Sequence, residues 1–147
     1  MPTRASTIIT GIENAILGAT IDTKAHTGDI WQRMEAADDA ALIAKDRTFV
    51  VFPLTAPVRN DEIIASQPAL ASFDCQISIG YTRGGSSAII DRILDDSERI
   101  MYALEEYAAN TNAAIANMLQ GGSTIAPFDG GLVVEFELTI VYAVDLS

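Results

Sequence analysis

The chain has 147 residues, with 20 aspartates and glutamates against 9 lysines and arginines, one histidine and one cysteine, a net charge of −11. That length suits one compact domain able to bury roughly 70% of its unfolded surface, and the charge argues against gripping a nucleic-acid backbone, which takes cations that neutralise phosphates. A lone Cys75 leaves no intrachain disulfide or cysteine-based zinc site, and neither a signal-peptide run nor ~20 consecutive apolar residues occurs, so a soluble product of a reducing compartment is expected.

In chain order, Ile8, Ile9, Ile12, Ala15 and Ile16 mark an amphipathic helix, with Ser6 or Thr7 as N-cap and Gly18 as its stop. Residues 20–46 have no single period: Ile30-Trp31 suits the start of a strand and Met34 to Lys45 a helical stretch. Thr48-Phe49-Val50-Val51-Phe52 is β-branched and aromatic, and Pro53 and Pro57 end it as a strand. A polar, proline-flanked connection through Arg59, Asn60, Asp61 and Glu62 to Pro68 carries Ile63 and Ile64. Phe73, Cys75, Ile77, Ile79 and Tyr81 then alternate with polar or small residues, which predicts a second strand with one buried face.

After Thr82-Arg83-Gly84-Gly85, Ser86 or Ser87 caps a helix carrying Ile89, Ile93, Ile100, Leu104 and Tyr107, which runs to about Ala109. Arg92 with Asp96 and Asp95 with Arg99 are expected as exposed i, i+4 pairs. Asn110 to Gln120 continues or restarts that helix, and Gly121-Gly122 and Gly130-Gly131 mark turns. The chain closes on an alternating strand from Leu132 to Val144, about 40 Å long at ~3.3 Å per residue. Together these elements predict an α+β fold, a mostly antiparallel sheet with helices packed on one face, in a single domain over 1–147.

No catalytic constellation stands out. Gly80 to Ser87 fits G-x-x-x-x-G followed by serine but lacks the lysine that a phosphate-binding loop places on the terminal phosphates, so a helix-capping turn is the better account. His26 has no second histidine or nearby cysteine to share a metal, and Cys75 falls on the apolar face of a strand, where it packs as a small hydrophobe. Asp38-Asp39 and Asp95-Asp96 are sequence neighbours that diverge on a helix, hence solvated faces. Glu135 and Glu137 share one face of the last strand and with Arg83 would suit a small-molecule site in an oligomeric enzyme or binding domain, the alternative to a structural role. Trp31, Ile63 and Ile64 are large apolar groups in connections, which bury against a neighbouring subunit or over the protein's own core.

The order of these elements resembles the tail terminator (tail completion, or minor tail) proteins of long-tailed bacteriophages. The resemblance lies in the acidic charge, the N-terminal amphipathic helix, the apolar strand Thr48 to Pro53, the passage Ile77-Ser78-Ile79-Gly80-Tyr81-Thr82-Arg83-Gly84-Gly85-Ser86 from strand through turn to long helix, and the final apolar strand. It implies a structural virion protein without enzymatic activity or cofactor, made in the host cytoplasm. It implies further a hexameric ring on the last ring of tail tube protein, which ends tail growth and joins a head-completion or connector protein, with DNA passing through without specific binding. Another tail or head-tail joining protein is the near alternative. On this reading Arg59, Asp61, Glu62, Ile63, Ile64 and Trp31 are expected at subunit contacts and Glu135 and Glu137 facing the lumen, since no lysine or arginine follows Arg99.

Overall fold

A computed structural model describes residues 2–20, 31–35, 38–59, 69–82 and 87–145, with the backbone alone at 39, 40, 87 and 88. The elements are α1 (Ala5–Leu17), β1 (Gln32–Arg33), α2 (Asp39–Leu42), β2 (Thr48–Pro53), β3 (Val58–Arg59), β4 (Leu70–Tyr81), α3 (Ser87–Glu106), β5 (Ile115–Phe128) and β6 (Gly131–Ala143). The fold is α+β, as the periodicity predicts.

The strands form one sheet in the order β1-β2-β4-β6-β5, all neighbours antiparallel except β1 and β2, with β3 pairing β4 beyond the end of β2. Its spine is the β4–β6 pair, twelve residues in unbroken register from Leu70↔Ala143 to Tyr81↔Leu132. Period two puts Phe73, Cys75, Ile77 and Ile79 of β4 beside Ile140, Leu138, Phe136 and Val134 of β6, all buried on the face that α1 and α3 cover. Ile8, Ile12 and Ile16 of α1 and Ile93 and Ile100 of α3 complete this core. The other face presents Asp74, Gln76 and Ser78 against Thr139, Glu137 and Glu135, and among the described residues its end near Val50 and Val133 is covered by Leu42 of α2.

Several expectations need correction. α1 starts at Ala5, before Ser6 and Thr7, and its N-cap is Arg4 in an extended conformation. The reason lies in the preceding residue: Thr3 bridges Val144, donating to Ala143 O (2.9 Å) and accepting from Asp145 N–H (2.7 Å), so the helix starts directly from a pinned strand end. Among the described residues of the stretch from Met34 to Lys45 the helix is confined to Asp39–Leu42, and a two-residue strand precedes it.

The largest difference falls at Asn110 to Gln120. α3 ends in a π-helical turn over Tyr107–Thr111, and Asn112 stops it, donating its N–H to Tyr107 O (2.9 Å) and its side-chain amide to Tyr107 Oη (3.0 Å). From Ile115 the chain is strand, because the long β6 has a second edge whose backbone groups need partners, and that pairing overrides the helix preference of Ala113, Ala114 and Ala116. The β5–β6 hairpin closes through Asp129 (φ 47°) and Gly130 (φ 87°), a two-residue turn with both φ values positive, the type I′ geometry that Asp-Gly favours.

Gly80 marks where α2 meets the sheet. A methyl group there would collide with the carbonyl of Leu42. Gly80→Ala is therefore expected to push α2 off Val50 and Val133 and to cost about 1–3 kcal/mol in urea denaturation; an unchanged midpoint would show that α2 is free to move.

Candidate functional site

Where the start of β2, the end of β4 and the middle of α3 converge, a carboxylate is buried. Asp96 is 1% exposed and accepts two hydrogen bonds from Arg47, Nε to Oδ2 at 2.9 Å and Nη2 to Oδ1 at 3.1 Å, while the Tyr81 hydroxyl donates to Oδ2 at 2.9 Å. Burial, then the charge of Asp96, pushes the Tyr81 hydroxyl far above its usual range and keeps it a donor. The Arg47 guanidinium also lies 5.9 Å from the centre of the Trp31 ring, which meets Phe49 edge to face at 6.3 Å.

Next to it, Asp46 accepts from the backbone N–H (2.8 Å) and hydroxyl (2.9 Å) of Thr82 and pairs with Arg92. Burial pushes this carboxyl up, but the Thr82 hydrogen bonds and the charges of Arg92 and Arg47 outweigh it, and the net shift is downward. Its contribution to stability is thus present above about pH 4 and lost as pH falls through the folded value.

These contacts change two readings of the sequence. Asp96 is not the exposed i, i+4 partner of Arg92: both reach across to the turn before β2, whereas Asp95 and Arg99 do pair within the helix at 3.7 Å. Trp31 is 1% exposed inside the protein's own core, so it is not a subunit-contact residue; its ring fills the gap between Phe49 and Arg47. The close approach of Leu42 accounts for Gly80, the first glycine of the loop-like motif, by packing. Cys75 is buried, its thiol pushed up to about 12 by burial and then by the charge of Asp74, so it stays protonated in the core.

The other predicted residues divide by position. Glu135 and Glu137 share the open face, opposite Ser78 and Gln76, with Asp74 one pair along, where it accepts from the Thr139 hydroxyl at 2.8 Å. Arg59 lies in β3, exposed at the opposite side of the sheet from β5. Asp61, Glu62, Ile63, Ile64, Arg83 and His26 lie outside the described residues. Among the described residues no three His, Cys, Asp or Glu side chains gather as a metal site, and no helix is long and apolar enough to cross a membrane.

Sequence reasoning missed β5 as a strand and, with it, the surface that β5 makes with α3. β5 is exposed over most of its length, and the trough between it and the C-terminal half of α3, lined by Met101, Leu104, Ala108, Met118 and Leu138, encloses about 640 Å³. The Asp129-Gly130 pair, a strong hairpin signal, was the clue to this edge in the sequence. Neither models of known protein families nor curated protein sequences match this chain.

Removing the Asp96 carboxylate leaves the largely buried Arg47 without its counter-charge. Asp96→Ala is expected to cost about 3–5 kcal/mol in chemical denaturation, and Arg47→Met with Asp96→Leu distinctly less; equal losses would mean that the charge pair itself, and not the unpaired remainder, sets the cost.

Proposed function

We propose that this protein is a structural subunit of the neck of a long-tailed phage, a tail terminator that forms a hexameric ring on the tail tube, ends tail growth and joins the tail to the head connector while DNA passes through its lumen. On this reading its partners are further copies of itself, the tail tube protein and a head-completion protein, and it catalyses nothing.

The observation that carries the reading is the acidic face of the sheet, which among the described residues is open except at its α2 end. Asp74, Glu135 and Glu137 stand on that face, and no lysine or arginine occurs in the chain after Arg99. A conduit for DNA has to let its cargo slide, and a wall of carboxylates among small polar groups offers phosphates no cation to hold. The resemblance in element order supports the same reading, since the long hairpin of β5 and β6 supplies the final apolar strand and the two long helices, α1 and α3, lie on one face of the sheet.

The test is the solution mass by light scattering during gel filtration, with negative-stain images of any large species. Six chains of 15.7 kDa in a ring with a central hole are the expected result. A dimer or trimer whose melting temperature rises with a small molecule or metal would replace it with the ligand-binding alternative.

A further inference from the structure

The trough between α3 and β5 belongs to a longer apolar groove. Ile90, Leu94 and Met101 recur at four and seven residues as one stripe of α3, and Ala108, seven residues further on, lines the trough with Met101. From Ile90 to Ala108 the stripe runs about 27 Å at 1.5 Å per residue. Leu94 is 52% and Met101 50% exposed. β5 makes the other wall: Met118 pairs Ile140 and Ile125 pairs Val134, so both stand on the helix-covered face. An apolar strip of that length, with an adaptable methionine in each wall, marks a docking surface.

Charge selects what docks. Asp91, Glu98 and Glu105 recur every seven residues, each three or four positions from Leu94 or Met101, and so line the solvent side of the apolar stripe. All three are exposed, and among the described residues none forms an ion pair or a hydrogen bond. β5 carries no charged side chain at all. The two cations of α3, Arg92 and Arg99, lie roughly half a turn round the helix from Met101 and are held by Asp46 and Asp95. The groove therefore joins apolar walls to a row of carboxylates that lack counter-charges.

A helix fits this groove better than a strand. Register shifts at Ala116 and at Gly121-Gly122, and Pro127 without an N–H to donate, blunt the free edge of β5 against strand addition. Apolar and acidic rows that both repeat every seven residues instead match a second helix with apolar residues at the same interval and lysines or arginines beside them. Neither long helix of another copy supplies these: α1 has no lysine or arginine between Ala5 and Leu17, and those of α3 are already paired. We infer that the groove is the docking site for a basic amphipathic helix of a different protein, which lays its apolar row on Leu94, Met101 and Met118 and its cations along Asp91, Glu98 and Glu105. The inference stands on the groove alone and is independent of the ring reading above.

The probe is a synthetic peptide of about three heptads with leucine at the core positions and lysine at the flanking ones, beside a twin that carries glutamate for lysine. Isothermal titration at about 0.15 M salt follows binding. Wild type is expected to take one lysine peptide per chain and to refuse the glutamate twin. Leu94→Asp with Met101→Asp is expected to weaken binding about tenfold or more. Glu106→Gln with Asp129→Asn, which removes two acids outside the groove, is expected to leave it unchanged. Glu98→Lys with Glu105→Lys is expected to exchange the preference, so that the glutamate peptide binds and the lysine peptide does not. All substituted positions are exposed, and circular dichroism checks that each variant folds.

A lysine peptide that wild type does not bind overturns the inference. So does one that binds the Leu94 and Met101 variant equally well, or that is lost with Glu106 and Asp129, since net charge would then be the whole attraction. If the apolar variant fails to fold, the charge exchange decides, and a preference that does not reverse overturns the proposal. Light scattering separates this site from the ring: the apolar variant is expected to keep the mass of wild type, and an assembly lost with it would give the groove to a second copy and overturn the inference.

Discussion

The register of β4 on β6 is the constraint on which the rest depends. Both strands alternate, and their pairing stacks the two apolar sets on one face and the two polar sets on the other. A slip of one residue would turn Phe136, Leu138 and Ile140 outward, each forfeiting about 1.5–3 kcal/mol of burial, so the register is strongly fixed. Once it is set, α1 and α3 have one face to cover, β2 and β5 have one edge each, and the acids of β6 stay in solvent.

A second constraint ties the covering layer to the sheet. Arg47 adopts a left-handed conformation, φ 60°, immediately before β2, which costs a non-glycine residue about 1–2 kcal/mol. In return its guanidinium reaches both oxygens of Asp96 and the face of Trp31, and Arg47 N–H donates to Gly80 O at 3.0 Å. One residue thus fastens α3, β1, β2 and β4 to one another. Asp96 is satisfied by three hydrogen bonds, which is the condition under which a buried carboxylate is tolerated.

Elements with a strong period were legible in the sequence: α1, β2, β4, α3 and β6, and from them the fold class. β5 was not, because its Asn117, Gln120, Gly121, Gly122 and Ser123 carry neither apolar alternation nor β-branching; its strand character comes from the edge of β6. Local rules also misassigned Asp96, since i, i+4 spacing offered it Arg92 and only the fold brings Arg47 beside it. Trp31 sits in a segment without period, and its place in the core follows from the parallel pairing of β1 with β2, which no local pattern encodes. Of the candidate site, the shared face of Glu135 and Glu137 was readable from period two, whereas the trough on the opposite, helix-covered face needed β5.

Among the described residues the sheet is covered by α1 and α3 on one face and left open over most of the other, which is what the proposed ring of subunits needs. The most direct measurement is amide hydrogen exchange followed at dilute and at concentrated protein. The account predicts that concentration adds protection at the two edges of the sheet, with β4 protected throughout. Protection independent of concentration at both edges would contradict it.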